Sequence, residues 1–389
     1  MEYRWKVLIV AWFVNLSIWT GDIVLAVLGA PISRDFGLDR TYFSFILSLP
    51  ILMMVILGVP VGVLIAKIGP KRTALIGLLI TLLAQVLRSV SSSTLQFTLF
   101  TALYGVGMAV VFPNLPKIAE LSFPKEQQGL AAGIYMSGLP SGAIMGLVAS
   151  SLLLPRISWS AILQLYALFL VIGAILWLLT AKDMPEGKVS MLEGLKKVSR
   201  NKFLWVVSVA NLTLLVTYFG ATKYFPSQEQ LKEYLGSSAP FLIALISVAL
   251  IFGLLLLPTL SLRIGEKKAL ILYQILVALL LPVFAWATIA RSEVIWLLSP
   301  LIGVLLGGII PLYFSFLSKT GVERKYFGIA SGIFVSVLNI GGFLAPILSE
   351  IMDSMGGIYA VALLFSLSSI AGALLSYLFP TGKGGEEKS

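Results

Sequence analysis

The stretch that decides the fold is Gly62-Val-Leu-Ile-Ala66-Lys67-Ile-Gly69-Pro70-Lys71-Arg72. Long apolar runs lie on both sides, so it reads as a tight basic hairpin between two membrane-spanning helices. Nearly the same text returns 196 residues later as Pro258-Thr-Leu-Ser-Leu262-Arg263-Ile-Gly265-Glu266-Lys267-Lys268. The shared core is [Lys/Arg]-Ile-Gly-x-Lys-[Arg/Lys], followed each time by a fresh apolar run. A basic turn recurring at half the chain length implies two similar halves lying the same way up in a bilayer.

Working outward, the repeat continues. Gly105 and Pro113 match Gly303 and Pro311 at an offset of 198. Gly129, Gly133 and Gly142 match Gly328, Gly332 and Gly341 at 199. Parallel six-helix repeats about an axis along the membrane normal are one established transporter plan.

Composition agrees. The chain is 58% hydrophobic and 12% charged, with a mean hydropathy of +0.98; a soluble protein carries about 25% charge. The net charge of +10 belongs to loops beside the membrane, not to a nucleic-acid surface. With no cysteine and no histidine, disulfides, thiolate catalysis and the commonest metal ligand are excluded. No phosphate-cradling loop occurs. Neither a cofactor, nor a metal, nor an enzyme activity is expected.

A helix needs about 20 apolar residues to cross a bilayer. That ruler predicts an all-α polytopic membrane protein of twelve transmembrane helices in two pseudo-symmetric six-helix bundles. The spans fall at 7–30, 42–66, 73–90, 95–115, 129–154 and 161–181, then 203–222, 239–262, 269–290, 294–317, 327–351 and 358–379. The domains are 1–181, a cytoplasmic linker at 182–202, 203–380, and a disordered tail at 381–389. The first apolar run is longer than a signal peptide's and is read as a retained helix. The linker carries Met191-Leu-Glu-Gly-Leu-Lys-Lys-Val198, an amphipathic pattern, although a solvated linker is the preferred reading. With the N-terminus inside, cytoplasmic segments hold 21 Lys and Arg and the other side 7. Both termini are therefore expected in the cytoplasm, in a multi-pass protein of the cell membrane.

On these residues the chain resembles the major facilitator superfamily, whose signature between its second and third helices reads G-x-L-A-D-R-x-G-R-[RK]-[RK]. Gly62, Leu64, Lys67, Gly69, Lys71 and Arg72 fit it, while Ala66 replaces the acid. The resemblance implies a cytoplasmic gate at Gly62, Lys67, Gly69, Lys71 and Arg72, echoed by Arg263 and Gly265. Without the acid the gate must be held by backbone dipoles or by Glu120, Glu126 or Glu323. Within the superfamily, Asn15-Leu16, Leu49-Pro50, Leu87-Arg88 and Phe112-Pro-Asn114-Leu-Pro116-Lys117 are similar to the cyanate-permease-like branch. Ser17 stands where that branch has arginine, and Thr101 where the superfamily's fourth-helix motif has one. The fifth-helix antiport motif has only an echo in Gly138-Leu-Pro140-Ser-Gly142.

Polar groups inside membrane helices are costly, so each is a candidate for lining a solute path. Asp22 is the one acid clearly within an apolar span. It is either a proton-coupling carboxylate or an interfacial acid paired with Arg34 or Lys223. Asn15 is mid-helix, and either contacts solute or ties to a neighbouring helix. Asn114 lies between Pro113 and Pro116, where missing donors break the helical ladder; it either faces the cavity or satisfies the freed carbonyls. Asn211 and Tyr218 are two turns apart on the seventh helix and share a face. Asn339, Gln274 and Tyr313 are weaker candidates, and Asn339 completes the set offered to solute. Arg88 is expected to snorkel to the interface, and Lys117 to sit at the cytoplasmic lip. The glycines of the fifth and eleventh helices mark close, sliding helix contacts.

The expected function is a secondary active or facilitative transporter of a small solute by alternating access, a symporter if protons couple through Asp22. The sparse intramembrane charge favours a neutral or weakly charged solute. The partners are that small molecule, the lipid bilayer and protons, with no nucleic acid, and the chain acts as a monomer. The alternative is a membrane-embedded sensor or interaction protein with a transporter-like body.

Overall fold

The computed structural model describes residues 2–124, 127–182, 191–224 and 229–380. The predicted Glu126 and the tail 381–389 lie outside them. Among the described residues, eleven helices are long and apolar enough to cross a membrane, and the last spans 54 residues. That last helix breaks at Gly356 and Gly357, where Gly357 takes φ +63°, so it makes two crossings and the total is twelve. The first six are α1 (Tyr3–Phe36), α2 (Arg40–Ile68), α3 (Pro70–Ser89), α4 (Thr94–Ser122), α5 (Gln128–Leu153) and α6 (Trp159–Thr180). The second six begin with α7 (Lys202–Thr222), α8 (Ala239–Ile264), α9 (Glu266–Ile289) and α10 (Ile295–Ser318). The helix Phe327–Tyr377 supplies α11 before its break and α12 after it.

Local chemistry sets the ends. Asp39 caps α2 by accepting from the Tyr42 amide at 2.7 Å, and Ser93, Ser158 and Asn201 cap α4, α6 and α7 in the same way. Such caps satisfy amides that have no partner in the first turn. The repeated basic turn is as tight as its text implies. Gly69 (φ +83°) and Gly265 (φ +89°) each serve as the end of one membrane helix and the start of the next. Only glycine takes that backbone without strain. Within α4 the helix breaks at Phe112–Pro113, as the missing proline donor requires.

The chain packs as two units. The first holds Met1–Phe123, Ile134–Arg200 and Val322–Ser336; the second holds Pro124–Gly133, Asn201–Gly321 and Val337–Ser389. They follow the sequence halves except at two places: the beginning of α11 packs with the first unit and the beginning of α5 with the second. Glycines explain why. A Cβ on Gly332 would lie 2.3 Å from the Gly58 carbonyl oxygen, and one on Gly62 would lie 2.6 Å from that of Gly328. In the second unit a Cβ on Gly133 would lie 2.0 Å from the Leu254 oxygen. Paired small residues let helix backbones approach this closely. The linker also differs from the solvated reading. Met191–Ser199 is a helix that buries Val198 and sets Gly194 against Tyr326 and Ile329.

Candidate functional site

In the first unit, α1 carries the polar line that the sequence singles out. Asn15 is fully buried, and its Nδ2 donates to the Tyr135 carbonyl of α5 at 2.7 Å. A carbonyl can only accept, so the amide has one orientation. Its Oδ1 is left buried without a hydrogen-bond partner. One turn on, the Trp19 indole N–H is also unpartnered, and its ring meets Phe112 edge-on at 5.6 Å. Asn114, two residues past Phe112, donates from Nδ2 to the Val110 oxygen at 2.7 Å. It therefore does satisfy a carbonyl of the broken turn, yet its Oδ1 remains buried and unpartnered. Each such atom costs about 1–3 kcal/mol in a closed core. Gly138 and Gly142 of α5 back this line, where a Cβ would come within 2.5 Å of the Trp12 and Leu16 oxygens.

Arg88 departs from expectation. It does not snorkel: it is fully buried, with partners inside the bundle for one of its terminal nitrogens and an aromatic face beside it. Its Nη2 donates to the Gly21 oxygen at 2.8 Å and to Gln85 Oε1, and its carbon lies 3.9 Å from the centroid of the Tyr104 ring. Tyr104 in turn donates to the Ile18 oxygen at 2.6 Å, and Gln85 Nε2 to the Leu163 oxygen at 2.9 Å. Asp22 lies within electrostatic reach of both Arg88 and Tyr104. Arg88 Nε and Nη1 are unpartnered. Gln85 and Tyr104 were not singled out in the sequence; Gln85, one turn before Arg88, was the only readable signal.

Lys117 is likewise buried. Its ammonium donates to the Arg324 oxygen at the start of α11 and lies 3.5 Å from Glu120. Ser331 Oγ donates to the Pro113 oxygen at 2.7 Å, and Glu323 pairs with Lys197 of the linker helix and, at 3.2 Å, with Lys325. Of the expected gate residues, Gly62 makes the close approach already described. Lys71 offers its oxygen to the Trp177 indole at 3.1 Å, while Lys67, Arg72, Arg263 and Gly265 are exposed. Ala66 is buried.

In the second unit Asn211 and Tyr218 of α7 and Asn339 of α11 are all buried. Gln274 and Tyr313 serve packing: Tyr313 donates to Gln274 Oε1 at 3.0 Å, and Gln274 Nε2 donates to Ser376 Oγ at 3.3 Å, tying α9, α10 and α12.

The family model described as Major Facilitator Superfamily matches residues 8–346. The chain belongs to that superfamily. It is a multi-pass membrane transporter of a small solute, and not an enzyme. It is 25% identical over 381 residues to the "Nitrite extrusion protein" of Bacillus subtilis, covering 92% of this chain and 90% of the relative. It is 26% identical over 374 residues to the "Probable nitrate transporter NarT" of Staphylococcus carnosus, covering 90% and 89%. Among solved structures, the human organic anion transporter MFSD10 superposes with a TM-score of 0.79 at 13% identity, covering 97% of this chain and 100% of that one. The E. coli fucose:proton symporter FucP gives 0.77 at 16%, covering 97% and 99%. The family match covers most of the chain, and nothing in these likenesses favours the sensor alternative.

Proposed function

We propose that this superfamily member is a proton-coupled carrier of a small solute bearing little or no net charge, working by alternating access. It acts as a monomer in the cell membrane, with both termini in the cytoplasm. The observation that carries the reading is Asp22, a carboxylate within the membrane helix α1 and in electrostatic reach of the buried Arg88. A carboxylate within a membrane helix is costly unless it does work, and a neighbouring cation lets it exist ionised and release on protonation. Asn15 and Asn114 in one unit, and Asn211, Tyr218 and Asn339 in the other, are the polar groups offered to solute. Gly62, Lys67, Gly69, Lys71, Arg72, Arg263 and Gly265 serve the cytoplasmic gate, with Lys117 on the Arg324 carbonyl standing in for the acid missing at Ala66.

A second reading, transport of a nitrogen oxyanion, is favoured by the names of the two bacterial relatives and by the two unpartnered N–H groups of Arg88. Uptake of labelled solutes into proteoliposomes, with and without an inward proton gradient, tests coupling. The gradient is expected to drive accumulation in the parent chain, and Asp22→Asn to abolish that drive while leaving solute exchange. Accumulation that survives in Asp22→Asn would remove Asp22 from coupling.

A further inference from the structure

Glu266 belongs to a charged cluster outside the residues described so far. It is the first residue of α9, straight after Gly265, in a turn where Arg263, Ile264, Gly265 and Lys268 are all exposed. Its own side chain is only 11% exposed. The carboxylate pairs with Lys319, the residue that ends α10, and accepts from the Ser315 hydroxyl at 3.1 and 3.3 Å. The acid stands at a helix start and the cation at a helix end, where each backbone dipole favours it. Ser315 also touches the part of α5 that packs in this unit: a Cβ on Gly129 would lie 3.7 Å from the Ser315 Cβ.

The internal repeat gives that contact a meaning. Ser315 is the counterpart of Lys117 at the offset of 198 that relates Pro113 to Pro311. Lys117 bonds to the beginning of α11, and Ser315 lies against the beginning of α5. The same place in each unit therefore meets the segment that comes from the opposite sequence half. We infer that Glu266, paired with Lys319, is a positioning residue that sets Ser315 as the seat for α5 and so favours the state in which both exchanged segments are docked. With the seat covered, Glu266 and Lys319 have each other in place of water. Removing the acid alone leaves Lys319 without its counter-charge there, whereas an uncovered seat lets water solvate the ammonium. The inference rests on alternating access, and on neither Asp22 nor the identity of the solute. Halves that separate beside the basic turns must undock both segments, since the chain joins each segment to the opposite half.

The chain has no cysteine, so one introduced thiol reports undocking in the purified full chain through its rate of alkylation by N-ethylmaleimide. Gly129→Cys places the thiol on α5, where a Cβ meets only ordinary contacts. Ser331→Cys places it on α11, at a buried position. Melting midpoints near the parent's show that each variant folds. Adding Glu266→Gln is expected to speed alkylation of both thiols about tenfold, the effect of one lost charge-assisted bond. Lys319→Met alone breaks the same pair and is expected to act alike, while both substitutions together return the rates toward those of the single-thiol chains. Rates that stay fast in the double variant would overturn the ion pair as the hold. A faster Gly129→Cys beside an unchanged Ser331→Cys would overturn the inference, because it marks local loosening alone. Unchanged rates at both positions, in chains whose thiols do react, overturn it and leave alternating access standing. Thiols that react only in denaturant, whichever the variant, would remove alternating access and the inference with it.

Discussion

Arg88 shows how much of a membrane protein is decided by azimuth. Its place near the end of α3 gives its depth, and from depth alone snorkelling is the sensible expectation. The direction in which the side chain leaves the helix is set by what packs there: the Gly21 carbonyl, Gln85 and the Tyr104 face. The same holds for Lys117, whose sequence position gave no hint of the Arg324 carbonyl 207 residues away. Removing Arg88 leaves the Gly21 carbonyl and Gln85 Oε1 without their buried donor, and Asp22 without the cation in its electrostatic reach; each buried acceptor left unsatisfied costs about 1–3 kcal/mol. Arg88→Leu is therefore expected to destabilise the chain by about that much, read as a lower melting midpoint in detergent. Adding Asp22→Asn to Arg88→Leu should restore part of the loss, since the stranded carboxylate is gone. Strictly additive losses in that cycle would show that the two residues do not interact. Asn15 and Asn114 were legible as polar groups out of place. That each leaves an oxygen unmatched was not, because the partner of the amide N–H decides it: the Tyr135 carbonyl on another helix for Asn15, and the Val110 carbonyl one turn back for Asn114.

At the scale of elements, the beginning of α11 packs into the first unit. Gly58 and Gly62 of α2 face Gly328 and Gly332 with no room for a side chain. Gly332→Val would push its methyls into the Gly58 carbonyl, and overpacking of this kind costs about 1–3 kcal/mol. A melting midpoint unchanged in Gly332→Val would mean that this contact is slack. The linker helix adds a charged clasp. Hydrogen bonds from Lys197 and Lys325 hold the Glu323 carboxyl below its ordinary range, and the bond to Glu323 holds Lys197 above its own. A lowered acid contributes fully above its ordinary range and loses that contribution as the pH falls through its lowered value. A raised lysine contributes below its ordinary range and is lost at high pH. The clasp is thus closed at neutral pH and opens in acid, below the ordinary carboxylate range. Trypsin-independent acid proteolysis of the linker helix should accelerate across that window, and Glu323→Gln should loosen the helix at neutral pH in an ordinary tryptic digest. Both groups are exposed, so the global melting midpoint should scarcely move. The repeated turn told where these helices end, through Gly69 and Gly265; it did not tell which helix each glycine face would meet.

For the whole molecule, the repeat at Gly62–Arg72 and Pro258–Lys268 was enough to expect two six-helix halves, because hydropathy and turn chemistry are local. The exchange of segments was invisible to such reading. Val322–Ser336 packs in the first unit and Pro124–Gly133 in the second, an outcome of tertiary packing between stretches far apart in sequence. It has a consequence for assembly. The first sequence half, made alone, lacks the α11 segment that covers Gly58 and Gly62, accepts from Lys117 through the Arg324 carbonyl and meets Pro113 through Ser331. The second half alone lacks the α5 segment whose Gly129 and Gly133 lie against Pro258 and the Leu254 carbonyl. Each half would then hold buried polar groups and bare helix faces that its own residues cannot satisfy. Splitting the chain between residues 182 and 191 and expressing the pieces separately should give little accumulated protein. Co-expression should restore both, co-purifying on a tag carried by one piece, since every missing segment is then supplied by its neighbour. Stable accumulation of the first piece alone, melting near the parent's midpoint, would show instead that the exchanged segments decorate two self-sufficient bundles.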